Sequence, residues 1–114
     1  MPDDRVTLPT LLGPHVDEAS VMRSLQSVID PELGVNIVDL GLVYGADVVD
    51  GVARILLTTT TPACPLGPYL TDQIRWALLA HDGVLDVDVE VTYEPLWSPE
   101  LMNDSARRQL GWPV

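Results

Sequence analysis

Two residues, Asp50 and Gly51, constrain the fold of this chain more than any others. They separate two strand-like runs, Leu42 to Val49 and Val52 to Thr60. An Asp-Gly pair readily takes the positive φ values whose twist matches that of two paired antiparallel strands. The spacing therefore predicts a β-hairpin.

The elements around the hairpin follow from hydrophobic period. Val21, Met22, Leu25, Val28 and Ile29 share one face of a helix predicted from about Asp17 to Ile29, with Asp17 as its N-cap and Pro31 as its stop. Leu66, Leu70, Ile74 and Leu78 form a stripe at i+4 spacing and predict a second helix after Pro65, with Tyr69 and Ala77 flanking the stripe and Gly83 beside its C-cap. From Leu85 to Tyr93 the chain alternates. Leu85, Val87, Val89, Val91 and Tyr93 face one way and Asp86, Asp88, Glu90 and Thr92 the other, so the acidic face belongs in water. Pro95 ends this strand, Ser98-Pro99-Glu100 starts a helix, and Asn103 or Asp104 caps a last short turn that runs to Leu110 with Gly111 past its end. Trp76 and Trp97 are read as packing residues.

Between the first helix and the hairpin lies DPELGVNIVDLG, Asp30 to Gly41, an ordered loop with turns at Asp30-Pro31, Leu33-Gly34 and Gly41. The element order is helix, strand, strand, helix, strand, helix. This is an α+β two-layer sandwich, a small mixed sheet with its helices on one face. Residues 1–13 read as a flexible lead-in and 14–114 as a single domain. The pattern leaves open whether the third strand lies beside the first or the second.

Charge narrows the function classes. Seventeen acidic residues against six arginines and no lysine give a net charge of −11. Phosphate backbones and anionic membranes are bound by clustered Lys and Arg, so neither nucleic acid nor a membrane surface is an expected partner. No apolar run approaches the roughly 18 residues of a membrane span. The N-terminus lacks the pattern of a secretory signal, and a cytoplasmic protein is the expectation.

Three groups of residues could carry chemistry. Cys64, the one cysteine, sits between a predicted strand end and a helix start, flanked by Pro62 and Pro65. A helix N-terminus favours a thiolate there, although a free cysteine is equally at home as a small buried apolar residue. Asp30, Glu32 and Asp39 place three carboxylates in ten residues, which suits orienting a partner, holding a cation or acid–base work. Aspartates beside Pro and Gly also serve simply to satisfy turn N–H groups. Thr58 to Thr61 end the second strand, and if alternation continues Thr59 and Thr61 share one face beside Cys64. His15 and His81 have no second ligand at metal-site spacing.

The ordered set DPELGVNIVDLGLVYG, the hairpin, TTTTPACPL and YEPLWSPELMNDSARRQLG resembles the SufT/PaaD-like family of small iron–sulfur assembly proteins over about residues 18–112. The resemblance implies a functional surface made of Asp30, Pro31, Glu32, Asp39, Gly41, Thr61, Pro62, Cys64 and Pro65. It implies a cluster-assembly fold, which agrees with the element order above. Members of that family serving phenylacetyl-CoA oxygenation carry a further cysteine-rich, zinc-binding extension, and this chain resembles the short form.

The expected function is a non-catalytic factor that helps assemble clusters or deliver them to client apo-proteins, working with the iron–sulfur machinery. Cys64 would be a transient ligand of a labile cluster or of iron. A cluster takes about four thiolates, so one cysteine per chain would have to share it with a second copy or a client, and no tightly bound cofactor is expected. Two other readings stand beside this one. Cys64 could be the nucleophile of a thiol-dependent sulfur- or acyl-transfer enzyme, which needs a base from His15 or His81. Otherwise Cys64 is inert and the chain is an acidic protein–protein adaptor.

Overall fold

The computed structural model describes residues 17–62 and 66–112. The predicted lead-in and His15 lie outside them, as do Cys64 and Pro65. Helix α1 spans Glu18–Leu25, strand β1 Val43–Val49, β2 Val52–Leu57, helix α2 Gly67–Leu79, β3 Asp86–Val91, and helix α3 Asp104–Leu110, with a 3₁₀ turn at Pro99–Leu101 before α3. The element order is the expected one and the class is α+β.

The hairpin forms as the turn chemistry predicts, with Asp50 at φ 53° and Gly51 at φ 81°. β1 pairs antiparallel with β2, and β3 pairs parallel with β2. The third strand therefore lies beside the second, and β2 is central. Ala53, Ile55 and Leu57 of β2 and Val87 of β3 are buried, where they pack with Val21 and Leu25 of α1 and Leu70, Ile74 and Leu78 of α2. The opposite sheet face is open to solvent. There Arg54 pairs in register with Asp47 on one side and Asp88 on the other, and Asp86, Asp88 and Glu90 are exposed as expected.

Several boundaries differ from the periodic reading. α1 is capped by Asp17, whose carboxylate accepts the Ser20 N–H at 2.8 Å, but it ends at Leu25 instead of Ile29. Ile29 leaves the apolar face, is 44% exposed, and forms a bridge with Asn36. The helix gives way to bonds of three-residue span at Gln26, Ser27 and Val28 before Ile29 and Pro31 are reached. β2 stops at Leu57, so Thr58 and Thr59 are both buried and the expected alternation through the threonine run does not hold. In β3 the inward pattern is kept at Val87, while Leu85 is 77% exposed. Trp76 is 66% exposed on the outer side of α2 and is not a core residue, whereas Trp97 packs against the core. Ser98 makes no side-chain cap, and its segment is a 3₁₀ turn. α3 is capped as expected, by the Asn103 side chain at one end and Gly111 at the other.

Candidate functional site

The acidic loop is held by its own aspartates. Asp30 is buried, and its Oδ1 accepts the backbone N–H groups of Glu32 at 2.8 Å and Leu33 at 3.2 Å. Its backbone is tied as well, donating to Val35 O at 3.0 Å and accepting from Gly34 at 2.7 Å. The side chain thus closes the turn that presents Pro31 and Glu32, both exposed.

Asp39 is placed differently. Its Oδ2 accepts from Asn36 Nδ2 at 3.0 Å and its Oδ1 from Asn103 Nδ2 at 2.9 Å. Burial pushes this carboxyl up, but the hydrogen bonds from Asn103, Asn36 and Ser105 outweigh burial and the net direction is down. An ionised carboxylate is therefore the resting form. Asn103 also donates its backbone N–H to Asp39 O at 3.0 Å, and Trp97 Nε1 donates to Leu40 O at 2.7 Å. The segment after β3 is in this way fastened to the loop. Sequence reading singled out Asn103 only as a cap, and nothing in the spacing signals its bond to Asp39. Among the described residues no group of three His, Cys, Asp or Glu side chains is placed to hold a metal ion.

The threonine run meets the loop where the sheet ends. Thr58 N–H donates to Leu42 O at 2.8 Å, one step beyond the Val43–Leu57 pair. Thr59 Oγ1 donates to Thr61 O at 2.9 Å and lies 3.4 Å from Tyr93 Oη, so the residues following β2 and β3 are in contact. Thr61 and Pro62 are exposed. A hollow of about 440 Å³ opens between the first two turns of α2 and the end of β3, lined by Gly67, Pro68, Thr71, Asp72, Val91 and Tyr93. Cys64 belongs to the three-residue link between Pro62 and Leu66, the residue that precedes α2. Leu42, which follows the acidic loop, thus meets Thr58 at the end of the sheet where Tyr93 and the start of α2 also lie. Tyr93 in this group was read from sequence only as a strand residue.

The model of the iron–sulfur cluster assembly protein family matches residues 18–91, the stretch from α1 through β3. This chain belongs to that family. Over 96 residues the assembly-family chain is 36% identical to a Porphyromonas gingivalis protein named Fe-S protein maturation auxiliary factor, covering 83% of this chain and 91% of that one. It is 41% identical over 85 residues to the Staphylococcus aureus Fe-S protein maturation auxiliary factor SufT, covering 74% and 97% of the two chains. Its fold is shared with the crystal structure of a domain of unknown function from Bacillus anthracis, with a TM-score of 0.78 and 36% identity across 82% of this chain and 91% of that one. The family match ends at Val91, so the Asp39–Asn103 bond joins the matched part of this assembly-family chain to a segment that follows it.

Proposed function

We propose that this chain is a non-catalytic maturation factor that helps assemble iron–sulfur clusters or deliver them to client apo-proteins. The observation that carries the reading is the 36% identity to a named maturation auxiliary factor across 91% of that protein's length. The arrangement of the sheet end supports it. An exposed Thr61-Pro62 turn and the start of α2 bracket the link that carries Cys64, and the acidic loop leaves the sheet at the same end. In this reading the cluster is cargo. Cys64 supplies one thiolate, and the remaining ligands come from a client or a second copy, because one cysteine cannot satisfy about four positions. Asp30 and Asp39 act by fixing the shape of the loop, and Pro31 and Glu32 on its exposed turn meet the partner together with Thr61, Pro62 and Pro65. Residues 14–114 act as one domain. Work in the cytoplasm is part of this reading, and no helix among the described residues is long and apolar enough to cross a membrane.

A thiol enzyme would need a base near Cys64. His81 follows the C-terminal end of α2, and its Nδ1 lies 2.7 Å from Asp82 O. A helix of 13 residues spans about 20 Å. That separation weighs against His81 as the base for a thiol before the helix start.

Anaerobic incubation with ferrous iron and sulfide, followed by absorption spectra of the wild type and Cys64→Ser, tests the thiolate. Weaker cluster bands in the variant and slower maturation of a cluster-requiring apo-enzyme are expected. Equal spectra with maturation intact would remove the ligand role and leave the adaptor.

A further inference from the structure

β3 lies at the edge of the sheet, and its free side is treated unequally along its length. Asp86 N–H donates to Gly51 O at 3.4 Å and Thr92 N–H to Leu57 O at 2.8 Å, which sets the parallel ladder. In such a ladder the backbone groups of alternate residues point toward the neighbour, so those of Val87, Val89 and Val91 point away from β2. At Val87 both groups are occupied. Its N–H donates to Asp86 Oδ1 at 2.8 Å, and its carbonyl accepts from Arg75 of α2, which also pairs with Asp86. Among the described residues, the backbone groups of Val89 and Val91 have no such partner. An open edge with free N–H and C=O groups is a template for another strand.

We propose that the Val89–Val91 edge of β3 takes an extended segment of a client protein as a fourth strand, in which basic residues alternate with apolar ones. The side chains on the two faces dictate this chemistry. On the open face a fourth strand would place alternate residues beside Asp88 and Glu90, which select Lys or Arg. On the inner face its other residues would lie beside Val89 and Val91, the one beside Val91 next to the hollow of about 440 Å³ that Val91 lines with Pro68, Thr71, Asp72 and Tyr93. Backbone pairing supplies affinity and the alternating side chains supply selectivity. A second copy of this chain fits poorly. β3 against β3 would bring Asp88 and Glu90 toward the same carboxylates of its partner, on a molecule already at −11. The plug at Val87 confines the pairing to the Val91 end of β3, beside the start of α2. That the segment belongs to a client rests on the maturation reading; the edge chemistry does not.

The test uses the full chain without iron or sulfide, so its failure is separate from a failure of the cluster experiment. The probe is a capped peptide of about eight residues alternating Lys and Val, compared with one alternating Glu and Val. Amide hydrogen exchange is followed residue by residue. The Lys–Val peptide should slow the Val89 and Val91 amides by about tenfold or more while the Glu–Val peptide does not. Asp88→Lys with Glu90→Lys should reverse that preference, and Val89→Pro should abolish protection, since the lost N–H faces outward and leaves the β2 ladder intact. Protection that falls on the β1 edge, equal binding of both peptides, or no protection by either overturns the proposal. So does protection of Val89 and Val91 that rises with protein concentration in the absence of peptide, which would make a second copy the occupant.

Discussion

Asp39 accepts a 2.9 Å hydrogen bond from Asn103, 64 positions further along the chain, while Asn103 Oδ1 accepts the Ala106 N–H at 2.9 Å and caps α3. One asparagine side chain therefore serves both the acidic loop and the final helix. A carboxylate bonded to two side-chain amides is stronger than a neutral pair, and its loss strands both donors.

Removing either partner should cost stability, and removing both should cost less than the sum. Asp39→Ala is expected to lower stability by about 2 kcal/mol and Asn103→Ala by about 1 to 2 kcal/mol through the lost cap and bond. The double variant should recover about 1 kcal/mol of coupling in urea denaturation. Strict additivity would mean that the two side chains do not interact in solution.

The same carboxylate gives a dependence on pH. Its folded-state pKa lies below the ordinary value, so the unfolded chain takes up the proton first as pH falls. The stability it contributes is complete above the unfolded value of about 3.9 and is lost as pH falls through the lowered folded value. Melting temperatures between neutral pH and strongly acidic pH should therefore converge for the wild type and Asp39→Asn at the acid end. Parallel curves across that range would assign the acid sensitivity to other groups.

Asp30 is expected to matter as an acceptor. Asp30→Ala leaves the N–H groups of Glu32 and Leu33 without that oxygen in a part-buried turn and should cost about 1 to 2 kcal/mol. Asp30→Asn keeps a carbonyl oxygen there and should restore most of it. If Asn behaves like Ala, the charge of Asp30, and not its turn geometry, holds the loop.

Gly41 tests how tightly the last segment sits on the loop. Its φ is 78°, and an added Cβ would fall against the Leu101 backbone, meeting the carbonyl oxygen and the carbonyl carbon. Backbone cannot yield as a flexible side chain does. Gly41→Ala should cost more than about 2 kcal/mol, combining left-handed strain with displacement of the 3₁₀ turn. A loss within about 0.5 kcal/mol in calorimetry would show that the 97–103 segment does not pack there.

Much of the fold was legible because it is local. The Asp50-Gly51 turn, the i+4 stripe of α2, the Asp17 cap and the Asn103 and Gly111 ends of α3 all depend on contacts within a few residues, which spacing reveals directly. The bland reading of Asp30, a carboxylate serving its own turn, was also available from its neighbours and describes the geometry found. The stripe of α1 misled at Ile29 because a period of 3.6 continues through any apolar residue of suitable spacing, whereas the helix has already ended at Leu25 and Ile29 bridges Asn36. Trp76 misled for a related reason: a large aromatic on a helix flank carries no mark of whether anything lies opposite it.

The sequence by itself determined the elements, their order, the single cysteine and the surplus of acid. Only the tertiary structure decided that β3 lies beside β2, that Asp39 meets Asn103, that Tyr93 reaches Thr59, and that the edge is plugged at Val87 and open beyond it. The physical reason is range. Periodicity and turn chemistry report free energies paid within one or two turns of chain, while strand order and side-chain bonds across 34 or 64 positions depend on which surfaces close over one another, and no local pattern records that choice.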